Sequence, residues 1–274
     1  MKIDSHQHFW SYNPHRESWI TDDMSGIRRD FFPKDLEPLL RQNKFDGCIA
    51  VQANDTEAES QFLLDLAAHN DFIKGVVGWV DLTAESCEER LSFFSQNSLF
   101  KGIRYTLQKE KPDFILNPLF KRGISLLSKF NLTFDLLVLE HQLPEVIQLV
   151  KEFPAQPFVL DHMAKPQVSK GLSYDWIENI KLLSSYKNVY CKVSGFLTET
   201  EDFKWLKNNF NPFFDVVSEA FGENRLMYGS DWPVCLAAGS YADTLEIVED
   251  YFYTQENGLF KKLMGINAEK FYHL

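Results

Sequence analysis

The chain has 274 residues, 28 Lys and Arg against 39 Asp and Glu, and a formal net charge of −11, with no basic block anywhere. That balance excludes nucleic acid or an anionic membrane surface as its main partner and leaves a small molecule as the expected one. Hydrophobic residues make up 45% and charged residues 24%, enough for a substantial soluble core, and no window approaches the roughly 18 uncharged apolar residues of a membrane span.

In chain order, β-like runs cover Lys2 to His6, Gly47 to Ala53, Ile73 to Val80, Lys101 to Tyr105, Leu132 to Val138, Pro157 to His162, Asn188 to Val193 and Leu226 to Ser230. Helical patterns lie between them. Glu57 to His69 carries an apolar stripe at spacings of three and four, as do Pro144 to Phe153 and Asp243 to Tyr253. Pro144 suits a first helical turn. Eight strands alternating with helices over about 250 residues predict an α/β fold, a (β/α)8 barrel in a single domain spanning residues 1–274. A doubly wound sheet shares the alternation, but no G-x-G-x-x-G follows the first strand. The long irregular segment from Phe9 to Pro33 is expected to lie over the barrel mouth. Phe210 to Phe214 fits either core packing or an apolar surface.

Cys48, Cys87, Cys191 and Cys235 are far apart and form no C-x-x-C pair. With a start of Met1-Lys2-Ile3-Asp4 and no leader pattern, a reducing cytoplasm is the expected compartment.

Function in such a barrel gathers at the C-terminal ends of the strands. The first strand ends in His6 and runs on to His8, two rings that share one edge because alternate strand residues share a face. The sixth ends in Asp161-His162 and the eighth in Gly229-Ser230-Asp231-Trp232-Pro233. His6, His8, His162 and Asp231 make a nitrogen and oxygen donor set for one divalent ion, zinc favoured, with a position left for water. The same set also works without metal, Asp231 acting as base and the imidazoles polarising a carbonyl.

Around this centre, Arg104 closes the fourth strand. It suits recognition of carboxylate or clustered oxygens, or a structural ion pair with a barrel carboxylate such as Asp135. Gln52 and His141 follow strand ends, His141 alternatively serving a helix N-terminus. Lys165 either holds substrate or caps a helix. Trp10, Trp79 and Trp232 offer flat faces to a sugar ring or pack in the core. His69, near a helix end, fits capping. No G-x-S-x-G or catalytic cysteine context occurs, so water is the expected nucleophile.

Ile3 to Trp10, Gly102-Ile103-Arg104, Leu160-Asp161-His162-Met163-Ala164-Lys165-Pro166, Lys192-Val193-Ser194-Gly195 and Arg225 to Pro233 together resemble the amidohydrolase superfamily, and within it the lactone-hydrolase branch. The resemblance implies a (β/α)8 barrel that hydrolyses a cyclic ester such as an L-fucono- or L-rhamnono-lactone, with His6, His8, His162 and Asp231 central. It also implies one metal at most, since Arg104 and Asp135 stand where binuclear members carry further ligands. Related lactonases often place a histidine after the fourth-strand arginine; here it is Tyr105. Two other readings are a metal-dependent decarboxylase of the same superfamily, acting on an aromatic or enoic acid, and a non-catalytic barrel that binds a sugar acid.

Overall fold

A computed structural model describes residues 1–253 and 258–274, the side chain of Pro112 excepted. Eight parallel strands pair in strict chain order: β1 Ile3–Gln7, β2 Gly47–Val51, β3 Ile73–Gly78, β4 Phe100–Tyr105, β5 Thr133–Leu136, β6 Phe158–Leu160, β7 Val189–Val193 and β8 Leu226–Tyr228. The ring closes where Asp231 N–H donates to the His6 carbonyl at 2.8 Å and His8 N–H donates to that of Trp232 at 2.7 Å. Helices α1 Pro33–Gln42, α2 Glu57–Ala68, α3 Cys87–Phe94, α4 Pro118–Leu127, α5 Leu143–Glu152, α6 Tyr174–Ser184, α7 Asn211–Phe221 and α8 Tyr241–Phe252 surround the barrel. It is the (β/α)8 barrel that the alternation predicts.

Local chemistry sets the helix starts. The Thr56 hydroxyl accepts Glu59 N–H at 3.2 Å and begins α2. In α8 the start lies two residues before the expected Asp243. The Asp243 carboxylate accepts Ser240 N–H at 2.8 Å while Ser240 Oγ accepts Asp243 N–H at 3.1 Å, a reciprocal cap. Phe210, Phe213 and Phe214 are buried, so that run is core. All four cysteines are buried and free, and no helix among the described residues is long and apolar enough to cross a membrane.

Period-two alternation decides what fills the barrel. Ile3, Ile49, Val51, Val77, Val159 and Met227 form one buried cluster with Ala268, Phe271 and Tyr272 of the terminal helical segment Asn267–Tyr272. That segment plugs the N-terminal end. Their strand neighbours Cys48, Ala50, Val76, Phe158, Leu160 and Tyr228 belong to the larger cluster beneath the helices. In β4, β5 and β7 the buried charged residues are Arg104, Asp135 and Lys192. The register of β1 shifts between Asp4 and Gln7. This irregularity lets Ile3 and His6, of opposite parity, both contribute to the interior.

Candidate active site

Four side chains meet at the strand ends. His6 Nε2 and His8 Nε2 are 3.2 Å apart. Asp231 Oδ1 lies 3.4 Å from His8 Nε2, 3.8 Å from His6 Nε2 and 4.0 Å from His162 Nε2. The His-x-His pair, the end of β6 and the end of β8 are thus brought together. Arg104 joins them, its Nη1 being 3.2 Å from His6 Nε2 and donating to Asp161 Oδ2 at 3.4 Å.

The backbone around these groups is unusual. His162, Met163, Ala164 and Lys165 have φ of 53°, 55°, 62° and 51°, and Asp231 has φ of 56°. Left-handed conformations in non-glycine residues are unfavourable and persist only where the surroundings impose them. Two glycines make room for the imidazoles. A Cβ on Gly195 would sit 2.4 Å from His162 Nδ1, and one on Gly229 would sit 2.5 Å from His6 Cβ. The motifs Ser194-Gly195 and Gly229-Ser230-Asp231 therefore have a steric reason.

Hydrogen bonds and burial set the protonation states. His8 Nδ1 is 2.7 Å from the Val51 carbonyl, which can only accept, so Nε2 offers its lone pair to the cluster. His162 Nδ1 is 2.9 Å from Ser194 Oγ. Burial lowers all three imidazoles: His6 well below its ordinary value with Lys192 assisting, His8 against the opposing Asp231 bond, and His162 to about 4. Burial raises the Asp231 carboxyl, but His162 and the His8 hydrogen bond outweigh it and hold the group low. Neutral imidazoles beside an ionised carboxylate are the states that a divalent ion requires of its ligands. Ligands about 2 Å from one tetrahedral zinc stand roughly 3.3 Å apart, close to the 3.2 and 3.4 Å separations here. His6, His8 and Asp231 stand close enough together to share one ion, with His162 Nε2 beside them at 4.0 Å from Asp231 Oδ1.

Beneath the cluster lies a buried ion network. Lys192 Nζ is 2.5 Å from Asp135 Oδ2, 3.0 Å from Asp161 Oδ1 and 3.0 Å from His6 Nδ1. Tyr272 donates to Asp135 Oδ2 at 2.8 Å. The sequence reading missed Lys192, although a lysine between apolar residues in a buried strand is itself a signal of an internal ion pair. Arg104 pairs with Asp161, just past β6, and Asp135 of β5 is taken by Lys192 of β7, because side chains of alternate strands meet across the interior.

A cleft open to solvent lies above, its lining including His8, Arg104, His162, Lys165 and Asp231. Lys165 Nζ is 3.0 Å from Glu199 Oε1. Gln52 is buried behind Arg104, its Nε2 donating to Asp55 Oδ1 at 2.8 Å while its main-chain carbonyl accepts Arg104 Nη2. Other expected residues stand apart. His141 is exposed on the turn after β5. Trp10 and Trp232 are buried against Phe31, with ring centres 5.5 and 5.2 Å away. Trp79 packs on Tyr105, whose hydroxyl donates to Asp81 Oδ1 at 3.3 Å, outside the cleft lining. The aromatic that lines the cleft is Trp19, from the segment between β1 and α1.

Comparison with known proteins follows the same lines. The chain is 37% identical over 260 residues to an L-fucono-1,5-lactonase of Burkholderia multivorans, covering 91% of this chain and 88% of that protein. It is 35% identical over 243 residues to an L-fucono-1,5-lactonase of Burkholderia ambifaria, covering 88% and 83%. A crystal structure of an amidohydrolase from Burkholderia multivorans with bound zinc superposes with a TM-score of 0.96 at 35% identity, over 100% of this chain and 99% of that one. The amidohydrolase family model matches residues 3–274, and the chain belongs to that family.

Proposed function

We propose that this protein hydrolyses a sugar-acid lactone of the L-fucono- or L-rhamnono- type, water attacking the lactone carbonyl. One observation carries the reading. His6, His8, His162 and Asp231 converge within 4.0 Å contacts at the floor of a cleft, in a chain 35–37% identical to L-fucono-1,5-lactonases.

Asp231, ionised and within reach of the cleft, takes a proton from the attacking water and returns it to the departing ring oxygen. The buried Arg104 guanidinium beside His6 places positive charge where the carbonyl oxygen becomes negative. Gln52 holds Arg104 in place, and Lys165 steadies oxygens at the rim. His6, His8, His162 and Asp231 would hold a divalent ion, zinc by donor type. When bound, it supplies Lewis-acid polarisation and a more acidic water.

The test is proton release from a panel of aldonolactones and a pyrone dicarboxylate lactone, corrected for spontaneous hydrolysis, with chelator and with added zinc. Rapid opening of one sugar lactone is expected, lost with chelator and restored by zinc. Silence across the panel, with carbon dioxide released from an aromatic acid, would replace the lactonase by a decarboxylase.

A further inference from the structure

We propose that Trp19 and Gln108 form a ring-binding subsite, Trp19 stacking on the C–H face of the bound lactone and Gln108 Oε1 accepting one of its hydroxyls. The inference deepens the lactonase reading and rests on it.

Strand order divides the cleft into two walls. Trp19, Ala53 and Val234 follow β1, β2 and β8, which are neighbours in the ring; Gln108 and Lys109 follow β4 and Lys165 follows β6, on the far side. Beyond His8 and Asp231 of the central cluster, the first side contributes apolar groups; the far side contributes mainly hydrogen-bonding ones, Thr106 among them, with Leu137 as its apolar member. A sugar lactone has the same asymmetry, a C–H surface on one side and hydroxyls around its edge, and indole faces suit such C–H surfaces.

Trp19 is held for this role. Trp10 meets its ring edge-on with centres 5.9 Å apart, so the buried tryptophan that the sequence suggested serves as a pedestal. Two residues earlier, Glu17 is buried and hooks the segment to the loop after β2. Its Oε1 accepts Asn54 Nδ2 at 2.9 Å and its Oε2 accepts Asn13 N–H at 2.7 Å. Further along, the Asp22–Ile27 turn packs on Val234–Ala237.

Gln108 supplies the polar half. It lines the cleft, yet its Oε1 is buried without a hydrogen-bond partner among the described residues. Buried acceptors are nearly always paired, and one left unpaired at a ligand cleft awaits a donor. A rotation of the side-chain amide brings that oxygen from its buried position to the cleft surface, where a ring hydroxyl is the donor.

The experiment compares the sugar lactone turned over best with δ-valerolactone, a six-membered lactone without hydroxyls. KM and kcat are measured for both in the wild type, Trp19→Ala, Trp19→Phe and Gln108→Ala, with Ki replacing KM where δ-valerolactone turns over too slowly. Trp19→Ala is expected to raise KM for both about tenfold, with kcat within about threefold, and Trp19→Phe to recover most of the loss. Gln108→Ala is expected to raise KM about tenfold for the sugar lactone alone. Unchanged KM in Trp19→Ala, or equal effects of Gln108→Ala on both lactones, overturns the subsite. If Trp19→Ala does not fold, Trp19→Leu takes its place. A wild type silent on every lactone overturns the lactonase reading instead. The subsite is then judged by calorimetric binding of the sugar acid, equal affinity in wild type and Trp19→Ala overturning it.

Discussion

The two ends of the barrel are built from the same strands by opposite rules. At the N-terminal end, Ile3, Ile49, Val77 and Met227 pack on Phe271 and Tyr272, a dry plug of side chains. At the C-terminal end the interior holds His6, His8, Arg104, His162 and Asp231 around a cleft, His162 and Asp231 on left-handed backbone. The floor is stable because it is apolar and close-packed. The mouth is reactive because it keeps ionisable groups out of water without neutralising them all. Between the two, Lys192 joins Asp135 and Asp161, compensating charges that burial alone would expel. Tyr272 ties this layer to the floor.

The sharpest break in that comparison is at the mouth. Asp231→Asn is expected to lower kcat by roughly 1,000-fold while circular dichroism still reports a folded barrel; near-wild-type turnover would remove Asp231 from the chemistry. Lys192→Met, in the middle layer, removes the cation that Asp135 and Asp161 share, leaving Asp135 only the Tyr272 hydroxyl and Asp161 chiefly Arg104, and is expected to cost about 3–5 kcal/mol in denaturant unfolding. Adding Asp135→Asn should recover part of that loss. A single variant as stable as wild type would deny the network its structural part.

At the floor the expectation reverses. Phe271→Ala should cost about 3–4 kcal/mol of stability and leave kcat/KM within about threefold. A large loss of turnover at unchanged stability would mean that the plug is coupled to the chemistry.

The smallest effect concerns pH. Burial raises the Glu59 carboxyl from 4.5 to about 7, despite the Ala53 N–H that it accepts at 3.1 Å. A carboxyl raised by folding binds its proton more tightly in the folded state. Its contribution is therefore most favourable below pH 4.5, declines as pH rises, and is constant above about pH 7. Glu59→Gln keeps an acceptor without the charge and should be more stable than wild type at pH 8, by on the order of 3 kcal/mol at most. The advantage should shrink towards pH 5. Parallel pH profiles for the two proteins would contradict it.

Much of this was legible in the residues. The strand runs and their alternation fit the barrel because a buried parallel strand leaves a continuous apolar mark. The strand-end rule selected His6, His8, Arg104, His162 and Asp231, which the fold brings together. Errors came where identity does not encode direction. Trp10 and Trp232 could serve a sugar ring but face the core, while Trp19, nine residues past the Ile3 to Trp10 motif, lines the cleft. His141 follows a strand, yet the turn after β5 carries it to the surface.

By itself, the sequence determined the eight-fold alternation and the identity of the groups able to hold metal or move protons. These depend on local pattern and side-chain chemistry. Only the tertiary structure decided that Arg104 pairs with Asp161, that Lys192 serves Asp135, that Gly195 and Gly229 lie against the imidazoles, and that Trp19 and Gln108 line one cleft. Such pairings join residues 57 positions apart, as in both ion pairs. They follow from the angular order and stagger of strands around a closed ring, which no local window contains.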